Sequence, residues 1–380
     1  MAKIKVGVIF GGRSGEHEVS LVSASSVIKE ISKGKYDVKE IGISKDGKWY
    51  ASSYSGNRVD NVGLIEKFKS GEVAGLKSVS FEEALSGCDI VFPVLHGPFG
   101  EDGTIQGLFE MMHIPYVGAG VLSSSVCMDK ITAKTILQAN GVPVVPYLFF
   151  TRDEFKVNEK MILNEIEKEI GFPCFVKPSN LGSSVGISKV VAMDGRPDSN
   201  AGKSSKLSLR DAILFAAKFD SRILIEKGIN AREIECAVMG NDKPEAATLG
   251  EILVGGEFYD YYDKYVDGKS STQVPIPDLD ENKQNEIKEC CLKAYKLLDC
   301  SGISRVDCFL DKDSREIYLN EINTMPGFTS ISMYPKMWQA SGVSYPELID
   351  KLIQFGFEKF KEKEKNQVSF DSGSNWFANS

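Results

Sequence analysis

One stretch limits the possible folds more than any other: Gly302–Ser332, GISRVDCFLDKDSREIYLNEINTMPGFTSIS. Residues Ser304 to Leu310 alternate, which predicts a strand with Val306, Cys308 and Leu310 on one face and Arg305, Asp307 and Phe309 on the other. A turn at Asp311 to Arg315 leads into a return strand, Glu316 to Asn323. Strict alternation there puts Ile317, Leu319, Glu321 and Asn323 on one face. Asp307, Glu321 and Asn323 then converge as a metal site of oxygen donors, which suits a hard cation such as Mg2+ and disfavours zinc. Three side chains leave coordination positions for water and phosphate oxygens. Arg305 adds a fixed cation on the Asp307 face, and Met325-Pro326-Gly327 offers a turn whose glycine N–H can meet an oxyanion. The same pattern also fits a plain surface hairpin, and alternation alone leaves both readings open.

Length and charge bound what such a hairpin can serve. With 380 residues, 42% hydrophobic and 26% charged, the chain has room for two or three domains with proper cores. A net charge of -8 argues against nucleic acid as a main partner while permitting a local cationic pocket. The eight cysteines mostly stand singly in apolar runs without CxxC spacing, as reduced core residues do. No apolar run approaches the roughly 18 residues a membrane span needs, and Met1-Ala2-Lys3 leads directly into a strand. The expectation is a cytoplasmic protein with no membrane partner.

Along the chain, Ile4–Phe10 reads as a strand ending in Gly11-Gly12-Arg13-Ser14-Gly15, followed by a helix over Val19–Ile31. The glycines do not fit G-x-G-x-x-G, and Glu16 and Glu18 put negative charge where a pyrophosphate would lie, which disfavours dinucleotide binding. A carboxylate there can hold an ammonium group, or simply complement the helix dipole. Val38–Ser44 is a second strand. Asp89–Leu95 is continuously apolar, as in a sheet covered on both faces, and delivers HGPFGEDG (residues 96–103) at its carboxyl end, where ligand crevices form. His96 reads either as a proton carrier or ligand donor, or as a loop histidine bonded to backbone. Ile114–Val117 is a further strand and Ser123–Gly141 one helix containing Asp129-Lys130. Phe172–Lys177 is a strand running into PSNLGSSVG (178–186), where a lysine plus a glycine/serine loop suits phosphate, a flexible hairpin tip being the other reading. Residues 194–208 form an insertion. Ile223–Ile225 is a strand with Glu233–Met239 as its antiparallel successor, a clamp for a nucleobase. Phe258–Tyr265, FYDYYDKY, with the glycine-containing 268–272, reads as a mobile flap. Asn285–Leu298 is a helix whose Ile287, Cys291, Ala294 and Leu298 form a core stripe, residues 344–360 form a terminal helix, and 361–380 read as disordered.

Taken in order, GGRSGEHEVS, HGPFGEDGTIQG, MDK, VKPSNLGSSVG, LIEKGI, FYDYYDKY, SRVDCFL and LNEINTMPGFTSISMYP resemble the D-alanine–D-alanine ligases of the ATP-grasp superfamily, from about residue 3 to 355. Eight ordered motifs are far more specific than any one. The resemblance implies an α/β (α+β) ATP-grasp fold of three domains: an N-terminal open parallel α/β sheet domain (1–122), a central ATP-grasp subdomain (123–228) and a C-terminal one with metal and catalytic residues (229–360). It implies ligation of two D-alanine molecules through a D-alanyl phosphate, using ATP and two Mg2+ ions, with Mn2+ an alternative, for peptidoglycan precursors. It also implies a homodimer. On matching positions, Lys130 and Lys177 would touch the ATP phosphates, Glu226, Lys227 and Ile229 would border adenine, and Glu233 would hold the ribose. Ser183, Phe258, Lys264, Phe309, Asn320 and Glu321 would complete the nucleotide site, and Asp307, Glu321 and Asn323 would bind the metal. Glu16 would pair with the first substrate's ammonium, linked through Ser183 and Tyr265 to the lid. His96 would lie near that substrate's carboxylate, Arg305 and Gly327 would stabilise the oxyanion, and Ser332 with Lys264 would meet the second substrate or the transferred phosphate. D-Lactate or D-serine as second substrate, an inactive nucleotide-binding regulator and another ATP-grasp ligase are the rival readings. Tyr265 favours D-alanine, the complete metal set argues against the regulator, and GGRSGEHEVS with HGPFGEDGT argues against the other ligase.

Overall fold

The structure, a computed structural model, describes residues 2–54, 63–73, 75–192, 208–253, 271–329 and 331–369. The first sheet holds β1 (Ile4–Gly11), β2 (Tyr36–Ile43), β3 (Trp49–Ala51) and β4 (Ile90–Val94) in the order β3-β2-β1-β4. β1 runs parallel to β2 and β4, and only the short edge strand β3 is antiparallel. Successive residues of β1 enter different cores. Val8 and Phe10 pack with Leu21, Ala24 and Val27 of α1 (His17–Glu30), whereas Ile9 packs with Leu85 of α3 (Phe81–Leu85) and Phe109 of α4 (Thr104–Met111). α2 (Leu64–Ser70) covers the α1 side. Burial on both faces explains why β4 and β1 from Val6 onward are continuously apolar rather than alternating.

Two expected elements differ here. Ile114–Val117 is not a strand; Tyr116 makes a single parallel bridge to Val91. The helix expected over Ser123–Gly141 is two, α5 (Val121–Met128) and α6 (Lys130–Ala139). The break is Asp129, whose extended backbone interrupts the helix and whose side chain caps the next one, accepting from the Thr132 N–H at 2.8 Å.

The second sheet, β5 (Tyr147–Thr151), β6 (Cys174–Pro178), β7 (Ser188–Val190) and β8 (Arg222–Lys227), has the order β5-β8-β6-β7 and is antiparallel. α7 (Arg152–Glu169), started by a Thr151/Glu154 capping box, and α8 (Leu209–Ala216) bury Phe155, Ile162, Ile166, Ala212 and Ile213 against one face. The opposite face is free to carry polar groups.

The third sheet, also antiparallel, runs β12-β11-β9-β13-β14, with β10 paired to β9. Its strands are β9 (Ala231–Gly240), β10 (Glu245–Ala246), β11 (Gly250–Leu253), β12 (Ser271–Gln273), β13 (Gly302–Asp311) and β14 (Ile317–Asn323). β9 pairs with β13 along ten residues, so β8 and β9, although consecutive, lie in different sheets rather than forming the expected antiparallel pair. α9 (Glu281–Leu297) buries Ile287, Cys291 and Ala294 completely, and Leu298 follows them into the same core. α10 (Met333–Ala340) and α11 (Tyr345–Lys363) return to the first sheet, where Tyr345, Leu348 and Leu352 share a core with Val8 and Phe92. The terminal helix reaches Lys363, three residues into the stretch expected to be disordered, because Phe360 packs on the ring of His113 and Lys363 pairs with Glu110. The insertion at 194–207, the flap at 258–270 and the tail from 370 lie outside the described residues. Among the described residues no helix is long and apolar enough to cross a membrane.

Candidate active site

A cavity of about 740 Å³ opens between the second and third sheets. β6 and β8 contribute Phe175, Lys177 and Glu226; β9 contributes Glu233 and Glu235; β13 and β14 contribute Arg305, Asp307, Phe309, Asn320 and Glu321. The expected hairpin forms, with a correction to its register. Asp307 stands opposite Glu321 and Cys308 opposite Leu319, so Asn320 is an extra residue, a β-bulge in β14. Ile317 and Leu319 therefore turn to the core, while Glu321 and Asn323, past the bulge, lie on the cavity side with Ile322 buried between them. Strict alternation would have put Glu321 and Asn323 on the same face as Ile317 and Leu319, where the carboxylate would be buried in the core at high cost.

Three of the cavity's cations, Arg305, Lys130 and Lys177, lie against acids. Arg305 grips Asp307 through two bonds, Nε to Oδ1 and Nη2 to Oδ2, each 2.7 Å, and its Nε lies 3.3 Å from Glu235. Lys130 donates to the Leu181 carbonyl at 2.7 Å and stands 3.5 Å from Glu321. Glu226 sits between two lysines, with Lys134 at 2.6 Å from one oxygen and Lys177 at 2.5 Å from the other. Burial would raise the Glu226 carboxyl, but Lys134 and then Lys177 outweigh it and hold it at about 2. Among the described residues no three His, Cys, Asp or Glu side chains group as a metal cluster. The donor set is instead two acids and an amide. Asp307 and Glu321 are directly opposed across the hairpin, while Asn323 stands opposite Arg305 with its Oδ1 accepting from the Met325 N–H at 3.0 Å; oxygen donors of this kind fit a hard cation that keeps water or phosphate in its shell.

A second group of residues closes the mouth of the first sheet. Glu16 stands at the start of α1, its N–H donating to Ser14 Oγ at 2.9 Å, and Ser14 in turn donates to the His96 carbonyl at 2.7 Å. The Ser183 hydroxyl donates to Glu16 Oε1, so the glycine/serine loop after β6 reaches the first sheet's loop. Ser183 and Ser184 hold that bend at φ 52° and 60°. Gly97, at φ +75°, sits where glycine is favoured, and an added Cβ would lie 2.7 Å from Glu16 Oε2 and displace that carboxylate. His96 is buried, with Nδ1 3.0 Å from the Met325 carbonyl and Nε2 3.2 Å from Ser23 Oγ. Ser23 also accepts from the Phe328 N–H at 3.3 Å. Burial pushes the imidazole pKa below its ordinary value against the opposing pull of Glu16, so a neutral ring donating from Nδ1 fits both contacts. The loop reading of His96 thus describes its bonds, and the ring ties the Gly327 turn to α1.

Lys227 and Ile229 line the same cavity. Ser332 begins α10, but its hydroxyl accepts from the Thr329 N–H at 3.0 Å and pairs with Thr329 Oγ1 at 2.8 Å, close beside Gly327. Phe258, Lys264 and Tyr265 lie outside the described residues. Sequence reading missed Lys134, Glu235 and Glu101. Lys134 left a signal, a lysine on the buried stripe of α6 between Ile131 and Leu137. Glu235 left one too, an acid on the long strand β9 two residues beyond Glu233. Glu101 is buried and accepts from the Gly97 N–H at 2.7 Å; nothing in HGPFGEDG marks it out from Asp102 beside it.

Two family models match the chain, the D-ala D-ala ligase N-terminus over residues 5–119 and the D-ala D-ala ligase C-terminus over residues 136–354. The D-alanine–D-alanine ligase of Acetivibrio thermocellus is 48% identical, over 96% of this chain and 98% of the relative. That of Clostridium novyi is 48% identical, over 94% and 99%. Among solved structures, the D-alanine-D-alanine ligase from Coxiella burnetii aligns with a TM-score of 0.78 at 34% identity, over 96% of this chain and 97% of that one. The VanG D-Ala:D-Ser ligase from Enterococcus faecalis aligns with a TM-score of 0.77 at 37% identity, over 93% and 100%.

Proposed function

The chain belongs to the D-alanine–D-alanine ligase family, and we propose how its own residues carry out that family's reaction. It is an ATP-dependent ligase of the ATP-grasp fold that joins two D-alanine molecules for peptidoglycan synthesis, with Mg2+ as cofactor. Glu16, held by Ser183, pairs with the ammonium of the first D-alanine, and neutral His96 stands by its carboxylate. That carboxylate is a poor electrophile until phosphorylated, so Lys130 and Lys177 exchange their protein partners for phosphate oxygens as charge spreads over them. Glu226, Lys227 and Ile229 border the adenine, Glu233 takes the ribose, and Phe309, Asn320 and Phe258 enclose the nucleotide. Asp307, Glu321 and Asn323 would hold Mg2+, which when bound neutralises the phosphate oxygens.

The second D-alanine attacks the acyl phosphate as a free amine. Arg305 and the Gly327 N–H stabilise the oxyanion of the tetrahedral intermediate, each such donor being worth on the order of 3 kcal/mol of barrier. Ser332 and Lys264 meet the second substrate's carboxylate or the departing phosphate, and Tyr265 brings the lid to Glu16 and Ser183. No covalent enzyme intermediate is required. A three-domain division at residues 1–122, 123–228 and 229–360, a homodimeric assembly and a cytoplasmic site of action belong to the same proposal.

One observation carries it: Lys130, Lys177 and the opposed Asp307/Glu321 pair share one cavity, which Ser183 joins to Glu16 at the amino-acid cleft. The test is ADP release with D-alanine alone, then with D-serine or D-lactate added, with products identified by mass. D-Alanyl-D-alanine as the main product supports the assignment. D-Ala-D-Ser as the main product would move the second-substrate assignment toward the likeness with the D-Ala:D-Ser ligase, and ATP binding without any product would overturn it.

A further inference from the structure

Lys134 has no part in the reaction as assigned above, yet it is among the most buried cations of the fold, 1% exposed. It projects from α6 between Ile131 and Leu137, both also 1% exposed. Its ammonium meets two groups from two different sheets. One is Glu226 Oε1 of β8 at 2.6 Å; the other is the backbone carbonyl of Asn320 in β14 at 3.0 Å. Asn320 is the bulge residue, immediately before Glu321. Glu226 is the carboxylate that holds Lys177. An ammonium is costly to bury, and where packing alone is needed an apolar chain of the same length serves as well or better. A bulge carbonyl is, moreover, a backbone acceptor removed from the regular ladder, and a fixed donor is what keeps it turned one way.

We propose that Lys134 is a positioning residue that fixes the metal hairpin relative to the phosphate-binding lysine, by tying the Asn320 bulge of β14 to Glu226 of β8 across the cavity. It touches neither substrate nor metal. Its effect is to set the backbone of Glu321 and, through Glu226, the ammonium of Lys177. The inference rests on the proposed roles of Lys177 and Glu321.

The test compares full-length wild type with Lys134→Met, which keeps the length and loses the charge, and Lys134→Arg, which keeps the charge. Mn2+ binding in the presence of ADP is followed by the spectrum of free Mn2+, and amide hydrogen exchange is followed over residues 316–323. Lys134→Met weakens Mn2+ binding by about tenfold or more, the usual cost of removing a group that orients a metal ligand, and speeds exchange across the bulge. Its KM for D-alanine stays within about twofold, because Glu16 and Ser183 are untouched. Lys134→Arg recovers most of the Mn2+ affinity. If Lys134→Met does not fold, Lys134→Gln, which keeps a polar head but is uncharged and one bond shorter and so does not span both Glu226 and the carbonyl, is measured in its place, with the same expected direction. Unchanged Mn2+ affinity and unchanged exchange, even with a lower urea midpoint, would show a purely structural lysine and overturn the proposal. Failure of the site assignment reads differently: wild type would bind no Mn2+ with ADP, or Glu321→Gln would bind it as well as wild type.

Discussion

Arg305 is the residue whose replacement separates catalysis from stability most cleanly. In the structure its guanidinium is shared between Asp307, through two 2.7 Å bonds, and Glu235 at 3.3 Å, with side-chain exposures of 19%, 15% and 9% in turn. Arg305→Met keeps most of the volume and removes the charge. Two effects follow. Two carboxylates lose their common cation, and breaking a buried pair costs about 3–5 kcal/mol; partial exposure here favours the low end, about 3 kcal/mol. The oxyanion also loses a donor, about 3 kcal/mol of barrier and so on the order of a hundredfold in kcat. The two effects respond oppositely to ligand. Mg2+ with ADP brings positive charge to Asp307, so it stabilises the variant more than the parent, while kcat stays low at saturating Mg2+, ATP and D-alanine. Urea unfolding with and without Mg2+ and ADP, alongside ADP release, measures both. A kcat within about fivefold of the parent in the folded, saturated variant would refute the oxyanion role, and a stability gap that ligand leaves unchanged would refute the shared-charge account of Asp307.

Two further substitutions probe the amino-acid side. Ser183→Ala removes the hydroxyl that holds Glu16; a hydrogen bond to a charged group is worth about 1.5–3 kcal/mol, so kcat/KM for D-alanine falls by roughly tenfold to a hundredfold. A loss confined to KM for ATP would count against the clasp. Glu101 has its carboxyl pKa raised well above the ordinary value by burial first and by the charge of Glu16 second, against the pull of the Gly97 N–H. The folded protein therefore holds this proton more tightly than the unfolded chain, so its contribution to stability is full below the ordinary carboxylate range and is lost as pH rises through the folded value. Glu101→Gln mimics the protonated form and still accepts from Gly97. Its melting temperature gains on wild type as pH rises above about 5, and parallel melting curves across that range would contradict the assignment.

The β13–β14 hairpin was legible in the chain because alternation over β13 is regular: Val306, Cys308 and Leu310 are buried and Arg305, Asp307 and Phe309 are not. β14 was legible only to Leu319. A bulge has no marker in residue type here, since Asn320 between leucine and glutamate reads equally well as a regular strand position, and only pairing against β13 reveals the extra residue. Asp129 shows the same limit in a helix, because an Asp-Lys step continues a helical pattern as readily as it caps one. Lys134 was hidden for another reason. It makes sense only through Glu226 and the Asn320 carbonyl, partners far along the chain in different elements, and period analysis sees no such pairing. The separation of β8 from β9 likewise depends on β13, more than 60 residues downstream, winning β9's edge.

The pairing of the cavity's charges among themselves bears on how its ligands enter. Lys130 lies by Glu321, Lys177 by Glu226 and Arg305 on Asp307. A triphosphate entering alone would draw the lysines from their acids and leave carboxylates facing phosphate in a poorly hydrated cleft, where like charges repel most strongly. A divalent cation entering alone would face Lys130 and Arg305 at close range. On the proposed roles, a cation and a triphosphate entering together would exchange partners, Asp307 and Glu321 going to the cation and Lys130 and Lys177 to the phosphates. Nucleotide and metal binding would then be mutually dependent, each lowering the electrostatic cost of the other. Glu226 would steady the exchange: with Lys134 fixed on its far oxygen, it would keep a cation when Lys177 turns to phosphate.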